Sequence, residues 1–121
     1  MEQNEIKELP DYNIKVGEIV YHEKIINDPS VSYAYYLPEK YKKDTMLPVL
    51  FFFDAHARGE LPWEKYKNLA DYFGYILIGS NNSRNGIAQD QQYQIYRKIK
   101  NDVFKKMNCN EAMLFTAGFS G

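Results

Sequence analysis

Ser120 lies in the run E-A-M-L-F-T-A-G-F-S-G over residues 111–121, where an apolar stretch of strand length, residues 112–117, passes into Gly118, Phe119, Ser120 and Gly121. A serine with glycines close on both sides, directly after a strand, is the start of a nucleophile elbow, G-x-S-x-G, and all but the last glycine of that pattern is present. Glycine is needed because the strand-to-helix turn holds the serine in a strained backbone and leaves no room for flanking side chains. The chemistry this would serve is acyl transfer. Ser120 Oγ would stand above a sheet as a nucleophile, and the Gly121 N–H would point at the place where an oxyanion develops. Short motifs recur by chance, and the competing reading is a serine in a glycine-containing turn at a strand end.

Few other residues carry chemistry. The histidines are His22 and His56. His22 falls in or beside an early strand and reads as a surface residue. His56 falls in a loop and reads as loop structure or a substrate contact in preference to a base, since a base must come within hydrogen-bond reach of the serine hydroxyl. Asp54 has no carboxylate or histidine cluster around it in sequence, so it reads as a loop hydrogen-bonding group and no metal site is expected. Arg58 and Arg84 are loop cations suited to an anionic substrate group or to solvent. Cys109 is the one cysteine, which excludes an internal disulfide, and it reads as a turn or core thiol. Neither G-x-G-x-x-G nor a P-loop follows any strand, so nucleotide binding is a distant reading and no cofactor is expected.

Composition narrows the partners. The 15 basic and 16 acidic residues leave a net charge of -1 with no long run of either sign, which removes the electrostatic footprint of a nucleic-acid binder. Hydrophobic residues at 45% and charged residues at 26% are an ordinary globular balance. Tyrosine is abundant at 11 residues, more than a core alone usually takes, and it suits amphipathic pocket walls. No stretch approaches about 18 consecutive apolar residues, and the start lacks a basic and then apolar leader. A soluble chain is expected, with no membrane span and no signal peptide in the sequence given; the compartment stays open.

These residues need elements to position them. Residues 1–17 form a polar N-terminal segment, and one domain is expected over residues 18–121. Residues 18–21 and 31–37 are strand-like, with turn chemistry at 27–30 between them, which predicts an antiparallel pair. Residues 49–53 are a continuous apolar run, the pattern of a strand covered on both faces. A loop over 54–59 leads to a helix with Pro62 in its first turn, Trp63, Tyr66, Leu69, Ala70 and Phe73 at helical spacing, and Gly74 as its stop. Residues 75–79 read as a second buried strand and 80–86 as a loop. A second helix over 89–107 places Tyr93, Tyr96, Ile99, Val103 and Met107 on one face, with Arg97, Lys98, Asp102 and Lys105 largely elsewhere. The alternation of strand and helix from 49 to 117 predicts a parallel sheet with two crossover helices, whose ligand site lies beyond the carboxyl ends of the strands.

This order of parts resembles the N-terminal portion of an α/β-hydrolase of the serine esterase type, over residues 19–121. In that family leading antiparallel strands come first, the third strand ends in an oxyanion-hole loop and the fifth in the serine elbow. The resemblance implies that Ser120 is the nucleophile, that Gly121 supplies one oxyanion N–H, and that Ala55 or His56, just after the strand 49–53, supplies the other. D-A-H-A-R-G stands here where the family has H-G-G-G. Arg58 and Asn82 are the candidate contacts for a small-molecule ester. The family's acid and histidine follow the serine in chain order, so the implied enzyme is a parent protein of which this is the front half, and the 121-residue chain alone is expected to be inactive. Strand 112–117 is central in the family order. Its edge is therefore expected to be open here, to be covered by further residues of the parent or by self-association through residues 112–117. The alternative is a non-catalytic α/β binding or assembly fragment, and a downstream acid and histidine in the parent separate the two.

Overall fold

A computed structural model describes residues 12–42, 46–52, 61–82 and 88–117. The elements are β1 (Ile19–Lys24), β2 (Ser32–Tyr36), β3 (Leu47–Phe52), α1 (Leu61–Phe73), β4 (Ile76–Ser80), α2 (Gln89–Lys106) and β5 (Cys109–Ala117). One mixed sheet has the order β1-β2-β4-β3-β5. β1 and β2 are antiparallel, as are β2 and β4, whereas β3 is parallel to both β4 and β5. The expected α/β class, with an antiparallel pair leading into parallel strands joined by helices, is what the chain adopts.

The order explains where the helices go. From β3 the chain crosses one way to β4, and from β4 it crosses back over β3 to β5. Right-handed crossovers in opposite directions put their helices on opposite faces of the sheet. The core divides accordingly. Tyr33, Tyr35, Val49, Phe51, Ile76 and Ile78 pack with Ile99 and Val103 of α2. Their neighbours of the other parity, Ala34, Tyr36 and Leu77, pack with Trp63 and Ala70 of α1, and Leu50 adjoins them. That period of two is the pleat of a sheet buried on both sides.

Local chemistry sets the element ends. Gly74 adopts φ +80°, a left-handed conformation that glycine takes up without steric cost, and its N–H and that of Tyr75 both reach Ala70 O (2.7 and 3.1 Å), which stops α1. Asp90 in the first turn of α2 and Lys105 and Lys106 in the last match the helix dipole. In the polar N-terminal segment, the Lys15 N–H donates to Tyr35 Oη (3.0 Å) and the Gly17 N–H to Leu37 O (2.8 Å), so residues 15–17 lie along the end of β2.

Three details differ from the sequence reading. On α1, Trp63 and Ala70 are buried but Leu69 and Phe73 face solvent, because the sheet covers only the flank of the helix that faces β2 and β4. On α2, Tyr93 is exposed and Asp102 and Lys106 are buried instead, since they neutralise each other across one turn (2.8 Å). Strand β5 begins at Cys109, before a shift in its register with β3 between the pairs Leu47–Cys109 and Val49–Leu114. The Ala112 N–H turns to Asn110 Oδ1 (3.1 Å) within that irregular stretch.

Candidate active site at the carboxyl rim of the sheet

Parallel β4, β3 and β5 end on one rim. Phe52 is in register with Gly79 on one side and with Ala117 on the other. The chain leaves β3 for α1 on one face and β4 for α2 on the opposite face, so neighbouring strands part at a topological switch point, where sheets of this kind form a crevice beyond the strand ends. Every site residue inferred from the motif follows one of these ends in sequence. Ala55, His56 and Arg58 come after β3, and Ser120 and Gly121 come after β5; all five lie outside the described residues. Phe53 and Asp54 lie outside them too.

Asn82, after β4, is described, and its side chain is engaged on the β2 side of the rim. The Ser32 N–H donates to Asn82 Oδ1 (3.0 Å), and Asn82 Nδ2 donates to Ser30 O (3.1 Å). Its own N–H reaches Ser80 Oγ (3.2 Å). Asn81 does similar work, donating from Nδ2 to Tyr21 O (2.8 Å) and to Ser32 Oγ (2.9 Å), and its buried Oδ1 has no partner among the described residues. Because β2 starts where β4 ends, this pair of asparagines fastens the turn between β1 and β2 to the rim. Trp63, in the first turn of α1, is buried there and meets Tyr21 edge to face at 6.3 Å. The loop composition of residues 80–86 announced a turn but not that its amides would bridge β1, β2 and β4. Nothing local signals such long-range partners.

His22 is exposed on β1, and β2, β4 and β3 all stand between it and β5. The structure therefore does not bring it to the end of β5.

The strongest electrostatics lie away from the parallel strand ends. Asp102 Oδ2 accepts from Tyr33 Oη and from Lys106 Nζ (both 2.8 Å), and its Oδ1 accepts the Ile26 N–H (2.9 Å). Lys106 Nζ also donates to Glu23 Oε2 (2.8 Å) and to Lys24 O (3.2 Å). Burial and the Asp102 charge both push the Tyr33 hydroxyl above its ordinary value, so it stays a donor. Burial opposes the Lys106 charge, but the hydrogen bonds to Asp102 and Glu23 outweigh it and hold its pKa above the usual lysine range. Beside this network a cavity of about 240 Å³ is lined by Ile25, Asn27, Asp28, Lys98, Asn101, Asp102 and Lys105. Its charges are mostly committed: Lys98 pairs with Asp28 (2.9 Å) and Asp102 with Lys106. A lysine held protonated and a carboxylate with its partners filled make a strut, not a nucleophile and base. Among the described residues no group of three His, Cys, Asp or Glu side chains is placed to hold a metal ion, and no helix is long and apolar enough to cross a membrane.

No protein-family model and no curated protein matches this chain. What remains to identify its chemistry is the order of its elements and the residue types at their ends.

Proposed function

We propose that the chain is the front part of a serine hydrolase that cleaves carboxylic esters through an acyl-enzyme on Ser120. The observation that carries this reading is the parallel trio β4-β3-β5, with the third and fifth strands of the chain adjacent and Phe52 opposite Ala117. In that arrangement the polypeptide after β3 and the elbow sequence after β5 depart from neighbouring positions on one rim, as a nucleophile and an oxyanion donor from a second loop require. An antiparallel β3 or β5 would have sent them to opposite ends of the sheet.

In this reading Ser120 Oγ attacks the acyl carbon of a small ester, and the oxyanion is held by the N–H of Gly121 and by one from Ala55 or His56. The alcohol then leaves with a proton, and water releases the acid. Arg58 supplies charge for the substrate from the loop after β3. The family's acid and histidine follow the serine, so the base would come from polypeptide beyond Gly121.

The reading is tested with the 121-residue chain and a longer parent chain that carries a downstream histidine, using an activated aryl ester and a fluorophosphonate label. The longer chain should turn over and take the label on Ser120, and Ser120→Ala should lower kcat by about 10³-fold or more. The 121-residue chain should show no burst. Turnover of the longer chain that survives Ser120→Ala, or a burst from the short chain that His56→Ala abolishes, would overturn the assignment of the nucleophile or of the base.

A further inference from the structure

The cavity between α2 and the turn after β1 lies at the β1–β2 edge of the sheet, with β4 and β3 standing between β2 and β5. Lys98, Asn101, Asp102 and Lys105 recur at i, i+3, i+4 and i+7, which sets them along one stripe of α2, opposite Asn27 and Asp28 of the turn. Their polar groups are not equally engaged. Lys98 pairs with Asp28 at 2.9 Å, and Asp102 is filled by Lys106, Tyr33 and the Ile26 N–H. Among the described residues no hydrogen bond or ion pair holds the side chains of Lys105, Asn101 or Asn27. Lys105 is thus a cation without a carboxylate, in walls where every other charge has its opposite. An ammonium and two carboxamides offer mostly donors. Ile25, 4% exposed, gives the cavity an apolar side.

We propose that this cavity binds a small aliphatic carboxylic acid, with Lys105, Asn101 and Asn27 donating to the carboxylate and the hydrocarbon chain lying against Ile25. The charges select a monoanion. Lys98 and Asp102 are neutralised by their own partners, so one ammonium is left to balance one negative charge. A phosphate dianion would meet the Asp28 and Asp102 carboxylates in the same walls with nothing to offset its second charge. An organic cation is disfavoured too, because both carboxylates already hold their own. The volume of about 240 Å³ falls below that of drug-sized pockets and suits an acid of a few carbons. The walls are set before a ligand arrives: Asp28 is anchored by the Ser30 hydroxyl (2.6 Å) as well as by Lys98, and Asp102 by the Ile26 N–H (2.9 Å). The site does not depend on the ester-hydrolase reading, because none of its contacts involves Ser120 or the loop 54–59.

The test is a titration of the isotopically labelled 121-residue chain with sodium butyrate, followed by backbone amide chemical shifts. Butyrate should shift the amides of 25–28 and 98–105 with a Kd of about 1 mM, as suits one ion pair and a short chain in an open cavity. Butylammonium and inorganic phosphate should each bind at least about tenfold more weakly. Lys105→Gln keeps most of the stem and removes the charge, and should weaken butyrate about tenfold; Asn101→Ala should weaken it about threefold. Arg97→Gln removes an exposed cation of α2 that lies outside the cavity, over the Tyr93 ring at 5.9 Å, and should change the affinity by less than about twofold. All three positions are exposed, so thermal unfolding of each variant should match the parent chain. Absence of saturable shifts at these residues overturns the proposal, as does tighter binding of phosphate or butylammonium. Equal weakening by Lys105→Gln and Arg97→Gln also overturns it, since butyrate would then respond only to the general charge of α2.

Discussion

The β1–β2 end of the sheet is fastened by buried polar ties between distant side chains, whereas among the described residues β5 is held over 114–117 by its register with β3. At the first, Asp102 and Lys106 of α2 hold Tyr33, the Ile26 N–H, Glu23 and Lys24 O, while Asn81 and Asn82 grip the same hairpin from the rim. At the second, β5 leans on β3 and leaves Met113 and Phe115 to solvent. Polar ties are directional, so they close an edge in one geometry; exposed apolar residues are indifferent to what covers them. One end is locked in a single geometry, and the other leaves apolar side chains half exposed. The elbow sequence grows from the second.

The largest effect should come from cutting the ties at their centre. Asp102→Ala would leave the Lys106 ammonium, which is almost fully buried, with Glu23 and one carbonyl, and strip an acceptor from Tyr33 and from Ile26. Breaking one side of a buried ion pair costs about 3–5 kcal/mol, to be read by urea denaturation. Phe115→Ala at the other end should stay within about 0.5 kcal/mol. Similar losses for the two would erase the contrast.

Alkali should act on the fastened end next. The hydroxyls of Tyr33, Tyr35 and Tyr36 are all pushed above the ordinary 10.0, in each case first by burial, and that of Tyr41 likewise. A raised folded pKa means that the unfolded chain loses its proton first, so the stabilisation is complete below 10.0 and is lost as pH rises beyond it. Lys106, raised from 10.5, has the same sign. Each such tyrosine adds a slope of about 1.4 kcal/mol per pH unit in that range. Tyr33→Phe should lower stability at neutral pH yet flatten the alkaline limb by one tyrosine's share. An unchanged limb would mean that Tyr33 ionises freely in the folded chain.

Much of this fold is legible in the sequence for a physical reason. Strands buried on both faces read as unbroken apolar runs, and Ile76 to Ile78 and Val49 to Phe51 declare themselves without reference to anything distant. Gly74 and Pro62 mark helix ends by backbone chemistry alone. Interactions between distant residues are not legible in this way. Asp102 and Lys106 look like the solvated face of an amphipathic helix, and only the approach of β1 and β2, some 70 to 80 residues away in sequence, makes their burial favourable. The surplus of tyrosine suggested pocket walls, whereas Tyr33, Tyr35, Tyr36 and Tyr41 are core residues whose hydroxyls find long-range partners, Asp71 for Tyr36 (2.6 Å) and the Asn108 N–H for Tyr41 (3.2 Å). For the site, the motif named Ser120 and topology supplies the rim; Asn82 shows the limit of reading loops, because a loop amide's partners depend on which strands adjoin.

The smallest effect tests whether exposure weakens a tie even at the fastened end. Asp28 is held down to about 2, first by the Ser30 hydroxyl (2.6 Å), then by Lys98 (2.9 Å) and by the Ser30 N–H (3.2 Å). Its contribution is therefore mostly a turn device within the β1–β2 loop, with the ion pair to α2 secondary, and water screens an exposed pair of this kind. Asp28→Asn should cost less than the Tyr33 or Asp102 changes but more than Lys98→Ala, which leaves both Ser30 bonds in place. The sign with pH is fixed by the lowered pKa: the contribution is present above 3.8 and lost as pH falls through about 2. The gap between the parent chain and Asp28→Asn, followed by denaturant midpoints, should accordingly narrow in acid. High salt should reduce the Lys98→Ala effect and leave most of the Asp28→Asn effect. If Lys98→Ala proves the more damaging of the two, the hairpin is tied to α2 at its surface as firmly as in its interior.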